Sequence, residues 1–545
     1  MTTHHQRFDA VVVGAGFAGL YMIKRLLDSG FTVRAYEAGD GVGGTWYWNR
    51  YPGARCDLES VDYSYSFSAE LEQEWHWSER YASQPEILRY LDHVADRFEL
   101  RPHIVLGTSV TSAVFDETRD SWTVTTDKGE QVEARYCIMA TGVLSTPKPP
   151  EIDGLETFAG PSYHTGRWPH EGVDFTGRRV ALVGTGSSGV QSIPLIAEQA
   201  AELVVFQRTA NYTVPSVNYP LDATAMAAVR KHYPERRALA RRSRFGVPAQ
   251  FPTVSALAVE AEERQAVYQQ AWDESHLLAF RLTFGDILTD EKANDTVADF
   301  LRAKIGQILR DPDTARKLMP RSYPFGTKRP CLGNAYYETF NRDNVTLVDV
   351  RSTPIVRATP RGIETSDAEY EADSLVFATG WDALTGAVLR IDVRGLGNVR
   401  LRDQWAAGPL SYLGLAVSDF PNLFLVTGPG SPGPLSNMVV SIEQHVEWIG
   451  DCLDWLRDNG VARITADADA ERAWFEHVQE VVAGTLYLRA DSWYLGANVP
   501  GKPRVFMPYV GGVGVYRAKC EEVAAQGYTG FQLSARAADL SGTGA

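Results

Sequence analysis

The chain has 545 residues, of which 44% are hydrophobic and 22% are charged, and its formal net charge is −15 at pH 7. This length is enough for two or three domains with substantial cores, and the composition is that of an ordinary globular protein. The acidic balance offers no basic field that would attract nucleic acid or an anionic membrane. No apolar run reaches the roughly 18 residues of a membrane span, and no signal-peptide pattern is recognisable, so we expect a cytoplasmic protein.

The five cysteines are scattered along the chain at positions 56, 137, 331, 452 and 520. No two are close in sequence, so the pattern predicts neither a CxxC redox motif nor a disulfide framework. It also argues against a flavoenzyme that works through a redox disulfide. We expect no metal site.

A strand, a glycine-rich turn, a helix and a second strand are predicted over residues 8–37. Gly14, Gly16 and Gly19 follow the apolar run Val11–Val13, and Glu37 lies 23 residues beyond Gly14. Glycines at this spacing let the backbone approach a pyrophosphate, which the next helix binds through its free N–H groups. A carboxylate at the end of the second strand suits an unphosphorylated ribose, as in FAD or NAD.

The same pattern returns after the apolar run Val180–Val183, with Gly184, Gly186 and Gly189. Here the following strand ends in Arg208, 24 residues beyond Gly184, and no carboxylate stands at that place. An arginine can bind a 2′-phosphate through two parallel hydrogen bonds, which favours NADPH. The sequence therefore predicts FAD at the first turn and NADPH at the second.

These elements predict an α/β fold with two Rossmann-like dinucleotide-binding domains, for FAD and NADP, and a mostly helical insertion. Two Ala-Thr-Gly tripeptides, at 140–142 and 378–380, end predicted strands and indicate crossovers between the domains. The expected division is a first FAD-binding part at 1–145, a first NADP-binding part at 146–215, the helical insertion at 216–325, a second NADP-binding part at 326–380, and a second FAD-binding part at 381–545 with a mobile loop near 488–507.

Two longer motifs identify a family. The stretch from Gly43 to Asp57 fits GGxWxxxxYPGxxxD, and the stretch from Phe158 to Pro169 fits FxGxxxHxxxWP, with Gly160, His164 and Trp168 at its fixed positions. Together and in this order they resemble the signatures of type I Baeyer–Villiger monooxygenases. The resemblance extends from about residue 8 to about residue 533 and is closest to the phenylacetone and steroid monooxygenase branch.

The resemblance implies that NADPH reduces FAD, that O₂ adds to give a C4a-peroxyflavin, and that the peroxide attacks a hydrophobic ketone. The ketone would be aryl, cyclic or steroid-like, and the product an ester or lactone, with sulfoxidation as a possible side activity. A peroxide anion and the alkoxide that follows it both need a fixed cation in a site shielded from water. Arg329 matches that catalytic cation in the family, and Asp57 matches the acidic residue that positions it.

Other residues take expected roles from the same resemblance. Lys328 and Thr209 would bind the NADP 2′-phosphate together with Arg208, and Trp493 would lie on the mobile loop that covers the cofactor. His164 would coordinate the nucleotide domains without transferring a proton. The ketone pocket would be lined by Gly433, Pro434, Leu435 and Met438. The remaining matched cofactor-binding residues are Phe17, Gly44, Thr45, Trp46, Asp57, Tyr63, Thr185, Ser187, Ser188 and Gln191.

Alternatives remain at two levels. From the residues alone, core packing explains Trp46, Trp48 and Trp168 better than a functional role does, and a hydrogen-bonded linker explains His164 equally well. For the whole chain, the first rival is a flavin-containing monooxygenase that oxygenates nitrogen or sulfur. The second rival is a nucleotide-sensing protein without turnover. We expect a monomer or weak oligomer.

Overall fold

The structure is a computed structural model that describes residues 6–535 of the chain. Between Gln6 and Met139 the chain begins with the predicted strand–helix–strand unit, which three helices and four further strands follow. The strands are β1 (Gln6–Val13), β2 (Val33–Tyr36), β3 (Ile104–Val105), β4 (Val110–Asp116), β5 (Ser121–Thr126) and β6 (Gln131–Met139). The helices are α1 (Phe17–Asp28), α2 (Thr45–Trp48), α3 (Ala69–Glu74) and α4 (Gln84–Arg97).

The second nucleotide unit and the insertion follow. The unit contains β7 (Ser162–His164), β8 (Arg179–Val183), α5 (Ser187–Gln199), β9 (Glu202–Gln207) and β10 (Thr213–Pro215). From Pro215 to Cys331 the chain has helices and no strand, as expected for the insertion. These helices are α6 (Ala223–Lys231), α7 (Tyr233–Arg242), α8 (Ala261–Asp273), α9 (Glu291–Ile308) and α10 (Pro312–Leu318).

The rest of the described chain mixes strands with helices and ends in a strand. Its first elements are β11 (Cys331–Gly333), α11 (Tyr336–Thr339), β12 (Val345–Asp349), β13 (Ile355–Thr359), β14 (Gly362–Thr365), β15 (Glu369–Glu371) and β16 (Ser374–Phe377). Its last are α12 (Gly386–Leu389), β17 (Asp392–Arg394), α13 (Leu401–Gln404), β18 (Leu423–Leu425), α14 (Met438–Asp458), β19 (Val461–Ala466), α15 (Ala468–Ala483), α16 (Val513–Ala525) and β20 (Phe531–Ala535).

Two mainly parallel sheets organise the molecule. The first has the order β17-β4-β5-β6-β1-β2-β3, with β18 also paired to β6. The second has five parallel strands in the order β12-β9-β8-β16-β7. The run Ala10–Val13 of β1 is buried throughout, as expected for a parallel strand covered on both faces. The predicted fold class, α/β with two Rossmann-like units and a helical insertion, is confirmed.

Strand membership also bears on the domain division. The first sheet draws on residues 6–139 and again on 392–425, whereas the second draws on 162–207 and 345–377. On this grouping we propose the division given above, with two discontinuous nucleotide domains. Residues 1–5 and 536–545 of that division lie outside the described residues.

Helix α7 fastens the insertion to the first nucleotide domain. Arg237 is 6% exposed, and its Nε donates to Glu72 Oε1 at 2.7 Å while its Nη2 donates to Ser64 Oγ at 2.8 Å. The neighbouring Arg236 donates through Nε to Asp62 Oδ1 at 2.6 Å. Because buried carboxylates need such partners, these contacts fix the position of the insertion.

The sequence did not predict the antiparallel strands β13–β15 or the antiparallel pair of β19 and β20. The residues of β13, β15 and β20 are largely half-exposed or exposed, so these strands lack the apolar runs by which the buried parallel strands were found. Strands β14 and β19 are mostly buried but short. Within residues 6–535, none of the helices combines the length and the apolar character needed to cross a bilayer.

Candidate active site

The first glycine-rich turn joins β1 to α1 and leaves no room for side chains. Gly14 has a φ of +105°, and a Cβ there would lie 2.5 Å from the carbonyl oxygen of Ala140. A Cβ on Gly19 would lie 1.8 Å from the carbonyl oxygen of Gly14. Glu37 directly follows β2 and is 5% exposed. Each of its carboxylate oxygens accepts one backbone N–H at 2.8 Å. Burial raises the pKa of Glu37, and these hydrogen bonds oppose the shift. The turn and the carboxylate fit a pyrophosphate and a free ribose.

Aromatic residues predicted to contact the same cofactor pack beside this turn. Trp46 Nε1 donates to the Tyr63 hydroxyl at 3.2 Å, and the Tyr63 ring centroid lies 5.2 Å from that of Phe17. Gly44, at a φ of +53°, precedes Thr45, the first residue of α2. Trp46 is 8% exposed, so its side chain packs in the core and also lies beside the turn.

The second turn, between β8 and α5, repeats the geometry. Gly184 has a φ of +113°, and a Cβ there would lie 2.4 Å from the carbonyl oxygen of Ala378. A Cβ on Gly189 would lie 2.2 Å from the carbonyl oxygen of Gly184, whereas one on Gly186 would meet open space. The backbone at Gly186 is therefore open to a phosphate above the N-terminus of α5, where Ser187 is the first helical residue.

Cationic side chains gather at one edge of the second sheet. Arg208 follows β9, and Arg351 follows β12, which pairs with β9 in a register that places Asp349 beside Gln207. Arg351 Nη2 donates to Thr209 Oγ1 at 3.3 Å. Burial lowers the pKa of Lys328 to about 8, and the charges of Arg208 and Arg351 add to the shift. A cluster of cations such as this one can bind a phosphate dianion, and that role for it stays a prediction.

Sequence reasoning missed Arg351. It lies 143 positions beyond Arg208, and nothing local marks it. The only signal that could have found it is the pairing of β12 with β9, because parallel strands bring their carboxyl ends to the same edge of a sheet.

Arg329 and Asp57 form the predicted pair. Arg329 Nε and Nη2 donate to the two carboxylate oxygens of Asp57, each at 2.7 Å, and Nη1 donates to the carbonyl oxygen of Pro434 at 2.9 Å. The two side chains are only 21% and 23% exposed. Burial opposes the charge on Arg329, but Asp57 outweighs it and the pKa of the guanidinium is raised. Three of its five N–H groups are engaged, so two N–H groups remain to donate to an oxyanion.

Helix α5 connects the two halves next to this pair. The Tyr51 hydroxyl donates to Gln191 Oε1 at 2.9 Å, and Gln191 Nε2 donates to the carbonyl oxygen of Arg55 at 3.1 Å. A Cβ on Gly53 would lie 2.4 Å from the carbonyl oxygen of Gln191, so the segment before Asp57 packs directly on α5. The second nucleotide unit thus helps to position the acidic residue of the first.

The chain resembles known proteins over nearly its whole length. Residues 11–238 match the family model described as pyridine nucleotide-disulphide oxidoreductase. A Baeyer–Villiger monooxygenase of Pseudooceanicola batsensis is 44% identical, over 96% of this chain and 95% of its own. Phenazine N-monooxygenase PhzNO1 of Lysobacter antibioticus is 43% identical, over 96% and 97%. The solved structure of oxidised steroid monooxygenase bound to NADP has a TM-score of 0.93 and 52% identity, over 97% of this chain and all of that one.

The chain belongs to the Baeyer–Villiger monooxygenase family. It is a flavoprotein monooxygenase that uses FAD and NADPH, as the two unequal glycine-rich turns predicted. When bound, FAD accepts a hydride from NADPH and activates O₂. All five cysteines of this Baeyer–Villiger monooxygenase lie within the described residues, where they are free and buried. The disulphide in the description of the matched family model therefore has no counterpart here.

The FxGxxxHxxxWP segment contacts both halves of this Baeyer–Villiger monooxygenase, since β7 pairs with β16 and the Arg167 guanidinium lies 4.1 Å from the Trp48 ring centroid. His164 Nδ1 accepts the backbone N–H of Gly166 at 2.9 Å, so Nε2 carries the proton and donates to Lys148 O or Thr379 Oγ1, each at 3.1 Å. Burial lowers the pKa of His164. Trp168 is 3% exposed and packs in the core of the second sheet. These contacts fit His164 as a neutral residue that links segments, and Trp168 as a residue of the core.

Trp493 begins a short 3₁₀ turn (Trp493–Leu495) on the segment predicted to be mobile. In this structure Asn498 Nδ2 donates to Trp381 O at 2.7 Å and Lys502 Nζ to Asp382 Oδ1 at 2.6 Å, so the segment lies docked. Its mobility stays a prediction.

The predicted ketone-pocket residues divide into two groups. Gly433–Leu435 form a 3₁₀ turn directly beside Arg329, whose Nη1 holds the carbonyl oxygen of Pro434. Leu435 also lines a cleft of about 270 Å³, including its open mouth. Met438, at the start of α14, packs against the largest hydrophobic core instead of lining that cleft. Their contact with a ketone stays a prediction.

Proposed function

We propose that this monooxygenase converts a hydrophobic ketone of aryl, cyclic or steroid-like shape to an ester or lactone. One oxygen atom of O₂ enters between the carbonyl carbon and a neighbouring carbon. The other leaves as water, with two electrons from NADPH. The observation that carries the proposal is the Arg329 guanidinium, held by Asp57 and Pro434 with two N–H groups left over.

In this proposal Arg329 donates those N–H groups to the negative oxygen that develops in the tetrahedral adduct. A half-buried cation acts more strongly there than in water, because the surroundings have a low dielectric constant. Asp57 holds the guanidinium plane through two parallel bonds, so the donors need no reorganisation during the reaction. The apolar surface around Leu435 excludes water from the adduct.

The cofactor contacts are proposed on the same basis. Glu37 accepts from the ribose hydroxyls of FAD, while Arg208, Thr209, Lys328 and Arg351 hold the 2′-phosphate of NADPH. The other glycine-turn and aromatic residues named above line the two dinucleotides. We further propose a cytoplasmic monomer or weak oligomer.

Nitrogen oxygenation is a second candidate. A relative of 43% identity is named a phenazine N-monooxygenase, so membership of this family does not by itself decide between carbonyl carbon and ring nitrogen. The bidentate Arg329–Asp57 pair favours the ketone, because attack on a carbonyl generates an oxyanion that needs such a donor.

A panel of substrates with identified products tests the proposal. Purified enzyme with FAD, NADPH and O₂ is given aryl, cyclic and steroid ketones, together with phenazine and an aryl sulfide. Ester or lactone from a ketone supports the proposal. N-oxide alone would establish the second candidate, and hydrogen peroxide as the only product with every ketone would refute the first.

A further inference from the structure

We propose that the ketone pocket has a cationic end, formed by Arg281 and Arg244, that accepts a carboxylate group on the substrate. The inference rests on the proposed function and names the class of ketone more closely, as a keto acid. The carbonyl would lie at Arg329 and the carboxylate at this second pair of guanidinium groups.

Arg281 is a buried charge without a counter-ion. It lies on a 3₁₀ turn (Ala279–Leu282) of the helical insertion and is 2% exposed. Its Nη2 donates to the carbonyl oxygen of Gly326 at 2.5 Å, and its Nε has no acceptor among the described residues. No carboxylate oxygen in residues 6–535 lies within 4.0 Å of its guanidinium. Buried charges are normally paired, so this arginine lacks an anion that the folded chain does not supply.

Arg281 belongs to the surroundings of Arg329. Its acceptor Gly326 stands three residues before Arg329, and the φ of Gly326 is +79°. A Cβ on Gly326 would lie 3.3 Å from Arg281 Nε and 2.8 Å from Leu288 Cδ2, so the glycine admits both side chains. Tyr494 has a buried hydroxyl without a partner in the described part of the chain. Burial raises its pKa to about 12, and the charges of Arg329 and Arg281 oppose the shift.

Arg244 adds a second unpaired cation. It lines the cleft that also includes Leu435 and Tyr487, and no acidic side chain of the described residues lies within 4.0 Å of it. Its guanidinium stacks 4.8 Å from the ring centroid of Phe251. Burial lowers its pKa, Tyr487 opposes the shift, and the charge of Arg281 adds to it. An anion near both guanidinium groups would reduce their mutual repulsion.

Apolar residues connect the two ends. Leu288, Leu435, Tyr487 and Tyr494 belong to one buried cluster. Leu288 packs at Gly326 on the Arg329 segment, and Leu435 and Tyr487 line the cleft with Arg244. A substrate with an apolar body and two polar ends matches this distribution of side chains.

The test compares aryl methyl ketones that carry a para-carboxylate, directly or through one or two methylenes, with the carboxamides of the same size. In the parental enzyme we expect a higher kcat/KM for a carboxylate than for its carboxamide. Arg281→Leu should lower this ratio about tenfold or more, the effect of losing one charged hydrogen bond. Arg281→Lys should restore part of it. Arg264→Leu is the matched control, since Arg264 is also an insertion arginine that donates only to backbone carbonyls and has an unpaired Nε.

Equilibrium binding supplies a second readout. The carboxylates are titrated into the FAD holoenzyme, and the change in flavin absorbance gives their Kd with and without the Arg281 substitution. A parental enzyme that does not prefer carboxylate, or a ratio and Kd unchanged in Arg281→Leu, would overturn the inference even if neutral ketones give ester. Equal loss of both substrates in Arg281→Leu would also overturn it and assign Arg281 to support of the Arg329 segment. If no ketone gives ester while Arg281 still governs carboxylate affinity, the proposed function fails and the anion site stands.

Discussion

Replacement of Arg329 by alanine should abolish oxygen insertion and leave reduction of the flavin by NADPH intact. The structure engages three N–H groups of Arg329 with Asp57 and Pro434, so two N–H groups are available to an oxyanion. Each charge-assisted hydrogen bond contributes about 1.5–3 kcal/mol. Loss of both removes about 3–6 kcal/mol of transition-state stabilisation, which is a factor of about 10² to 10⁴ in rate.

Two measurements separate the steps. Anaerobic stopped-flow absorbance follows flavin reduction by NADPH, and gas chromatography follows the ester under air. The Arg329→Ala variant should be reduced at close to the parental rate and should consume NADPH with formation of hydrogen peroxide. Ester formation at close to the parental rate would refute the assignment of Arg329.

Variants of its partner test the reasoning about orientation. Asp57→Ala leaves the guanidinium held only by Pro434, so it should lose ester formation although the charge is kept. Because Asp57 acts through Arg329, adding Asp57→Ala to Arg329→Ala should change the rate little further. Additive losses would show that Asp57 acts independently of Arg329.

Charged groups outside this pair give three further expectations. Burial lowers the pKa of Lys328 to about 8, so the lysine loses its charge as pH rises through that value. The KM for NADPH should therefore rise between about pH 7 and about pH 9, whereas the KM for NADH should not. The Lys328→Arg variant should flatten this pH profile, because arginine keeps its charge. Arg351→Ala should raise the KM for NADPH about tenfold more than that for NADH, and an equal effect on both would remove it from the 2′-phosphate site. Arg237→Ala removes the partner of Glu72, so urea unfolding should show that the free energy of unfolding falls by about 3–5 kcal/mol. The control Arg316→Ala, at an exposed ion pair, should lower it by about 0.5 kcal/mol or less. Similar losses in the two variants would contradict the attachment of the insertion through Arg237.

The two nucleotide-binding units were predictable because the residues that define each one lie close together in sequence. A glycine-rich turn, a helix and a strand end stand within some 25 residues, so Glu37 and Arg208 are placed by counting along the chain. A Cβ on Gly14 or Gly184 would collide with the carbonyl oxygen of Ala140 or Ala378, which shows why glycine stands at these two positions.

The proposed reacting centre was not predictable in that way. Asp57 and Arg329 are 272 residues apart and belong to different loops, so within the sequence only the family resemblance pairs them. Arg281 and Arg244 lie in the insertion, where helical periodicity does not reveal which charges are buried. Neither has an acidic side chain within 4.0 Å among the described residues, and only the fold shows this.

The hydrogen bonds of His164 fit the predicted role of a linking residue that transfers no proton. The Nδ1 atom of His164 accepts a backbone N–H two residues on, which leaves the proton on Nε2. That proton faces Lys148 of the connecting segment and Thr379 of the second Ala-Thr-Gly element. Protonation of Nδ1 would break the first bond, and burial disfavours the charged ring. The neutral ring therefore ties the connecting segment to the end of β16, and the second nucleotide unit cannot shift against that segment without breaking these bonds.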